Sequence, residues 1–303
     1  MDIVKEIQKL KAERNAVILA HNYMLPEIQD IADYNGDSLG LSIEAAKTNA
    51  DVIVFCGVSF MAETAKIISP NKTVLIPAPD AGCPMADMLS ADQLRALKAK
   101  HPKAMVMCYV NSSAEVKALC NVCCTSANAS MIAKKAFAPT DEVIFVPDKH
   151  LANYTAQDLG RKFIIHPGFC PTHNRILPDH VKAARKKHPN AEVLVHPECS
   201  LAVIAEADKA LSTGGMGSYV PKSNATEFII GTEEGMVYRL QKDNPTKKFY
   251  PLLPGVMICP NMKKTTLDKV YLSLKEMKHR VEVPADTAAK ARGAIMRMIE
   301  LSK

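Results

Sequence analysis

One pattern recurs three times along this chain at a spacing near 88 residues, and it limits the fold more than any other feature. Short apolar runs ending in polar residues read Val-Ile-Leu-Ala-His-Asn-Tyr at 17–23, Val-Met-Cys-Tyr-Val-Asn at 106–111 and Val-Leu-Val-His-Pro-Glu at 193–198. From His21 to Tyr109 is 88 residues, and from Tyr109 to His196 is 87. Three Cys-Pro pairs, Cys83-Pro84, Cys170-Pro171 and Cys259-Pro260, keep the same register at 87 and 89. Self-similarity at a fixed period marks repeated structural units.

Each unit reads alike. A first apolar strand leads through a helical stretch to a second strand at 52–55, 143–146 and 228–230. Another helix leads to a third strand at 74–76, 163–165 and 249–253, and the Cys-Pro loop and an amphipathic helix follow. Short apolar runs alternating with helical patterns predict parallel sheets covered by helices. The expected class is therefore α/β: three three-layer α/β/α domains with short parallel sheets, related by pseudo-threefold symmetry about a central cleft. An N-terminal amphipathic helix (1–15) carries Ile3, Val4, Ile7 and Leu10 at helical spacing. Repeats at 16–102 and 103–189 follow, then a third at 190–303 that includes a C-terminal helix. Ligands of parallel α/β units bind beyond the carboxyl ends of the strands, so matching positions of the three units should meet in that cleft.

Composition excludes several functions. A net charge of +6 with 5% aromatics and no Trp lacks the stacking surface of a single-strand nucleic-acid binder. A mild positive field suits small anions. No uncharged apolar stretch approaches the ~20 residues that span a bilayer, and residues 1–15 are charged throughout, without an apolar export core. Nine cysteines without a signal peptide point to reduced thiols in the cytoplasm, some as metal ligands.

Seventeen residues after each first-strand anchor stands a hydroxyl: Ser38, Ser126 and Thr213. Each is expected to cap a helix N-terminus, where free N–H groups attract anions. Three caps at one offset in three repeats suggest a carboxylate or phosphate cradle. The Cys-Pro cysteines form the second matched set, and three thiolates can hold zinc with one open position or an iron–sulfur cluster. Cys56 and Cys108 read as packing residues in strands, and Cys199 as either packing or ligand. Cys120, Cys123 and Cys124 read as buried thiols, a redox pair or an auxiliary metal site. Gly-Asp-Ser-Leu at 36–39 spells a serine-esterase motif, but no His has Asp three positions before it, so the hydroxyl lacks its base. P-loop, G-x-G-x-x-G and H-E-x-x-H motifs are absent.

Several motifs together resemble the quinolinate synthase family over essentially the whole chain. They are His-Asn-Tyr at 21–23, Gly-Asp-Ser at 36–38, Cys-Pro-Met at 83–85, Tyr-Val-Asn-Ser at 109–112, Cys-Thr-Ser-Ala-Asn-Ala at 124–129, His-Pro-Glu-Cys at 196–199, Ser-Thr-Gly-Gly-Met at 212–216 and Asn-Met-Lys at 261–263. The resemblance implies a [4Fe–4S] cluster held by Cys83, Cys170 and Cys259, with one iron open as a Lewis acid. It implies condensation of iminosuccinate (iminoaspartate) with dihydroxyacetone phosphate to quinolinate, a transferase step of NAD biosynthesis that releases phosphate and two waters. Substrate-binding positions carry over to His21, Ser38, Tyr109, Val110, Asn111, Ser126, His196, Pro197, Glu198 and Thr213, and acid–base work to Tyr23, Tyr109 and Glu198. Glu198 could serve as base if burial tuned its pKa. His173 either lines the pocket or faces solvent. Some family members carry extra cysteines near the third ligand; here Cys259 stands alone. The enzyme supplying the imine is a candidate partner. A non-catalytic metal- or redox-sensing protein using the same three Cys, and a zinc hydrolase, are the competing readings.

Overall fold

The computed structural model describes residues 2–303. Twelve strands form three four-stranded sheets, every pair within them parallel. In the first unit these are β1 (Ala16–His21), β2 (Tyr34–Gly36), β3 (Val52–Cys56) and β4 (Thr73–Leu75). The second has β5 (Met105–Tyr109), β6 (Val122–Cys124), β7 (Val143–Val146) and β8 (Ile164–Ile165). The third has β9 (Glu192–Val195), β10 (Lys209–Ala210), β11 (Glu227–Gly231) and β12 (Lys248–Pro251). One strand order serves all three: β2-β1-β3-β4, β6-β5-β7-β8 and β10-β9-β11-β12. The fold class expected from the repeats is the one observed.

Each unit holds one strand more than the sequence pattern predicts. The additional strands β2, β6 and β10 have only two or three residues and sit at sheet edges. Tyr-Asn-Gly and Lys-Ala carry no apolar run, so periodicity passes over them. The central strands behave as helix-covered parallel strands should, as continuous buried apolar runs: β3 and β7 are buried at every position. Most of the core is continuous across the units, while Val181, Val193, Val195, Val203 and Ile229 form a separate core in the third.

Beyond Cys259 the chain leaves its own sheet. The helix Leu267–Glu276 packs on the N-terminal helix Ile3–Glu13, and residues 279–281 hydrogen-bond along the edge of β4. The final helix Ala285–Leu301 lies across the first two units, with Arg292 donating to the carbonyls of Ile67 and Ile68 at 2.9 and 2.7 Å. Among the described residues no helix is long and apolar enough to cross a membrane.

Candidate active site

In each sheet the connection reverses direction between the first and third strands of the unit. That switch point opens a crevice at the strand carboxyl ends. The three crevices merge into one cavity of about 280 Å³. His21, Tyr109 and His196 enter it from the ends of β1, β5 and β9, and Cys83, Cys170 and Cys259 from the Cys-Pro loops. Tyr23, Ser38, Asn111, Ser126, His173, Glu198 and Thr213 line it too. Two expected residues stand apart. Val110 borders a small gap beside Phe55 and Phe60, its N–H bonded to the Cys124 carbonyl at 2.9 Å. Pro197 borders a second groove with Ser126 and Ser212.

A continuous hydrogen-bonded row crosses the cavity. The Tyr109 hydroxyl donates to Glu198 Oε1 at 2.7 Å, and Glu198 Oε2 lies 2.6 Å from His173 Nδ1. His173 Nε2 and the Tyr23 hydroxyl meet at Thr232 Oγ1, at 2.8 and 2.6 Å. His173 is thus a buried cavity residue, not a solvent-facing loop side chain. It stacks on His196 with centroids 4.7 Å apart, and its Nδ1 is 3.2 Å from Cys170 Sγ.

Charge in this row is set by burial and by neighbours. Burial pushes His21 and His196 down to about 3, against the pull of Glu198, so both rings are neutral near pH 7. Nδ1 of each accepts the N–H two residues on, from Tyr23 and Glu198, each at 3.2 Å. That bond leaves the proton on Nε2, and each ring keeps one N–H for a ligand. Burial works to raise Glu198, but the facing His173 ring and the hydrogen bonds from His173 and Tyr109 win, and its pKa lies below the ordinary range. The sequence-level expectation that burial tunes this carboxyl is thereby corrected: its partners keep it ionised. Burial and the Glu198 charge raise both Tyr23 and Tyr109, which hold their protons.

The hydroxyls are not caps, contrary to expectation. Asp37 caps the helix Ser38–Lys47 through the Gly40 N–H at 2.9 Å, and Ser212 caps Thr213–Tyr219 through the Gly215 N–H at 3.0 Å. Ser126 stands in the turn before Asn128, the residue preceding the helix Ala129–Ala136. Capping one residue earlier frees Ser38 and Thr213 for the cavity, where Thr213 Oγ1 accepts from Asn22 Nδ2 at 3.0 Å. The Asn111 amide oxygen is buried in the cavity wall without a partner.

Each cysteine sits in one kind of turn. Nearby backbone N–H groups favour the ionised form of each sulfur: those of Met85 and Ala86 at Cys83, of His173 at Cys170, and of Met262 and Asn261 at Cys259. Burial raises all three thiols, Cys83 to about 12, while these N–H groups oppose it. Such amides favour thiolate, the form that ligates metal. The donor set therefore fits a metal or iron–sulfur group with three thiolates, one from each unit.

Thr232, Glu233, Lys263 and Asp148 escape sequence reasoning. By strand register Gly231 matches Val146, so Glu233 and Asp148 hold equivalent places two residues past β11 and β7. Searching beyond the second apolar strand of each repeat, as well as the first, would have found Thr232, Glu233 and Asp148; Lys263 stands in the Asn-Met-Lys motif at 261–263, where nothing in the spacing gives it a role.

An architecture of this kind is that of an acid–base enzyme handling a small molecule at the shared centre of three α/β units. The family model described as "Quinolinate synthetase A protein" matches residues 5–300. The chain is 53% identical over 301 residues to the quinolinate synthase of Alkaliphilus metalliredigens, covering 99% of this chain and 98% of that one. It is 52% identical over 301 residues to that of Geobacter metallireducens, with the same coverage. For Thermodesulfovibrio yellowstonii the figures are 52% over 299 residues and 98% of each chain. The chain belongs to the quinolinate synthase family.

Proposed function

We propose that the chain condenses iminosuccinate with dihydroxyacetone phosphate, releasing phosphate and two waters to give quinolinate for NAD synthesis, with a [4Fe–4S] cluster held by Cys83, Cys170 and Cys259. The observation that carries this reading is that three Cys-Pro turns, one from each unit, bring Cys83, Cys170 and Cys259 to the wall of one cavity. When bound, such a cluster supplies one iron without a cysteine, a Lewis acid for a departing oxygen.

The protein's own groups supply the rest. Neutral His21 and His196 offer Nε2–H donors, and Ser38, Ser126 and Thr213 offer hydroxyls, to the carboxylates and the phosphate. Using neutral donors spares the site a row of buried cations. Tyr23 and Tyr109 keep their protons and act as acids, donating to oxygen as it leaves. Glu198, ionised between Tyr109 and His173, accepts a proton from substrate carbon. The enclosure keeps water from the hydrolysable imine. The overall reaction is redox-neutral and needs no external oxidant.

The test is an anaerobic turnover assay of iron- and sulfide-replete protein with the two substrates. Quinolinate formation is expected. Replete protein that forms none, or a colourless zinc-loaded sample with full activity, overturns the reading.

A further inference from the structure

An ion pair between a buried carboxylate and a part-buried ammonium, outside the residues placed so far, joins two corners of the site. Glu233 follows β11 and is fully buried. Its Oε1 accepts the Cys259 N–H at 3.1 Å, and its Oε2 accepts the Gly235 N–H at 2.8 Å. Lys263 Nζ lies 2.8 Å from Oε1 and 3.0 Å from Oε2. The same ammonium donates to the Tyr23 carbonyl at 2.5 Å. One carboxylate–ammonium pair therefore grips the main chain of a cavity cysteine on one side and that of a cavity tyrosine on the other.

The surroundings leave little slack. A Cβ on Gly235 would come within 2.8 Å of the Tyr23 Cα and carbonyl carbon, so the Tyr23 turn rests directly on this segment. Gln29 Nε2 ties the same turn down, donating to the carbonyls of Asn22, Met24 and Gly235 at 2.9–3.1 Å. The equivalent places in the other units are filled differently. In the second, Asp148 caps the helix Lys149–Leu159 and its carboxyl faces the Cys170 N–H, but its Oδ2 has no partner. In the first, the place is held by Val58. An ion pair with one buried member is a poor source of stability, because desolvation offsets the attraction. What this one supplies is geometry.

We propose that Glu233 and Lys263 are positioning residues for the reaction, holding the acid Tyr23 at a fixed offset from the Cys259 turn. This rests on the reading of Cys259 as a cluster ligand. Partners of this kind around metal ligands are typically worth ~10–100-fold in metal affinity or activity.

The experiment uses anaerobic holoenzyme and compares wild type with Glu233→Gln, Lys263→Met and Lys263→Arg. Readouts are iron release to a ferrous chelator, kcat and KM for each substrate, and the melting temperature. Glu233→Gln is expected to release iron about tenfold faster and to lose about tenfold in kcat. Lys263→Met is expected to lose kcat to a similar degree with less effect on iron, because it frees Tyr23 while Glu233 still meets the Cys259 N–H. KM should stay within about twofold in both, the mark of a group acting on the chemical step. Lys263→Arg should recover most of kcat. Unchanged iron release in Glu233→Gln, or a lowered melting temperature with kcat intact in Lys263→Met, would overturn the proposal. Should Glu233→Gln fail to fold, the Lys263 pair decides alone. Wild-type protein that takes up no iron and sulfide would instead overturn the cluster reading beneath it.

Discussion

Seven of the nine cysteines fall into two groups, and their surroundings differ in ways that bear on the proposed ligand role. Cys83, Cys170 and Cys259 stand in Cys-Pro turns on the cavity wall, with nearby backbone N–H groups that favour their ionised form. Cys108, Cys120, Cys123 and Cys124 lie in or beside β5 and β6, with Cys108 and Cys123 directly paired in register. Here two of the sulfurs face carbonyls: Cys108 Sγ donates to the Tyr109 carbonyl at 3.2 Å and Cys120 Sγ to that of Val116 at 3.0 Å. In the second group two sulfurs thus bond to the main chain as donors, whereas the first group stands on the cavity wall. Burial raises Cys120 and Cys124, but at Cys108 it is outweighed by bonds from Cys120, Cys123 and Ser112 and by the buried Lys117, which pull that thiol down. Strand alternation nevertheless turns Cys108 away from the face that Tyr109 presents to the cavity.

The largest effect that could break this contrast comes from the three proposed ligands. Alanine at Cys83, Cys170 or Cys259 should each abolish iron–sulfur retention and quinolinate formation, read by iron and sulfide analysis of anaerobically purified protein. Equal iron loss from Cys56→Ala or Cys123→Ala would show that the turn geometry does not select ligands.

Next in size is Glu198→Gln. It keeps the shape and removes the charge that holds the Tyr109 proton and faces His173. Turnover should fall by about 10²–10⁴-fold with iron content unchanged. Turnover within twofold of wild type would remove Glu198 from the acid–base row.

A smaller effect tests the neutral histidines of the cavity, in contrast to the Lys117 side chain among the second group. His196 titrates near 3 in the fold, below the ~6.5 of an unfolded chain. Between those values the unfolded state binds the additional proton, so the destabilisation is absent above about pH 6.5 and grows as pH falls, by up to ~1.4 kcal/mol per pH unit. His196→Gln lacks this term, so its stability relative to wild type should improve from pH 7 to pH 5. A melting-temperature gap that stays constant with pH would mean that the ring is already charged.

What the sequence discloses follows from how local each signal is. The 88-residue register carries the three-unit architecture, the three Cys-Pro cysteines of the cavity wall and the first-strand anchors, because these rest on residue identities at fixed offsets. The edge strands β2 and β10 escape because two or three polar residues leave no periodic trace. The caps are misplaced by one residue at Ser38 and Thr213, since a hydroxyl and its polar neighbour compete for the role and only backbone geometry decides between them. Thr232, Glu233 and Lys263 escape for another reason. Thr232 and Lys263 meet Tyr23 and His173 of other units, and Glu233 meets Cys259 and Lys263 some thirty residues on, so no spacing along the chain announces these contacts.

The smallest predicted effect lies in the second cysteine group, and it sharpens the contrast from the opposite side. Cys123 is fully buried in β6, paired in register with Cys108 one residue before Tyr109. Cys123→Ala removes one sulfur atom from packed surroundings, which should cost on the order of 1 kcal/mol of stability. Iron content and kcat should stay at wild-type values, because neither sulfur of the pair reaches the cavity. A lower melting temperature with unchanged iron and turnover is the outcome that a packing role demands. Loss of turnover at full iron content would mean instead that β6 transmits its packing through β5 to the Tyr109 hydroxyl. The two groups would then be one mechanical unit.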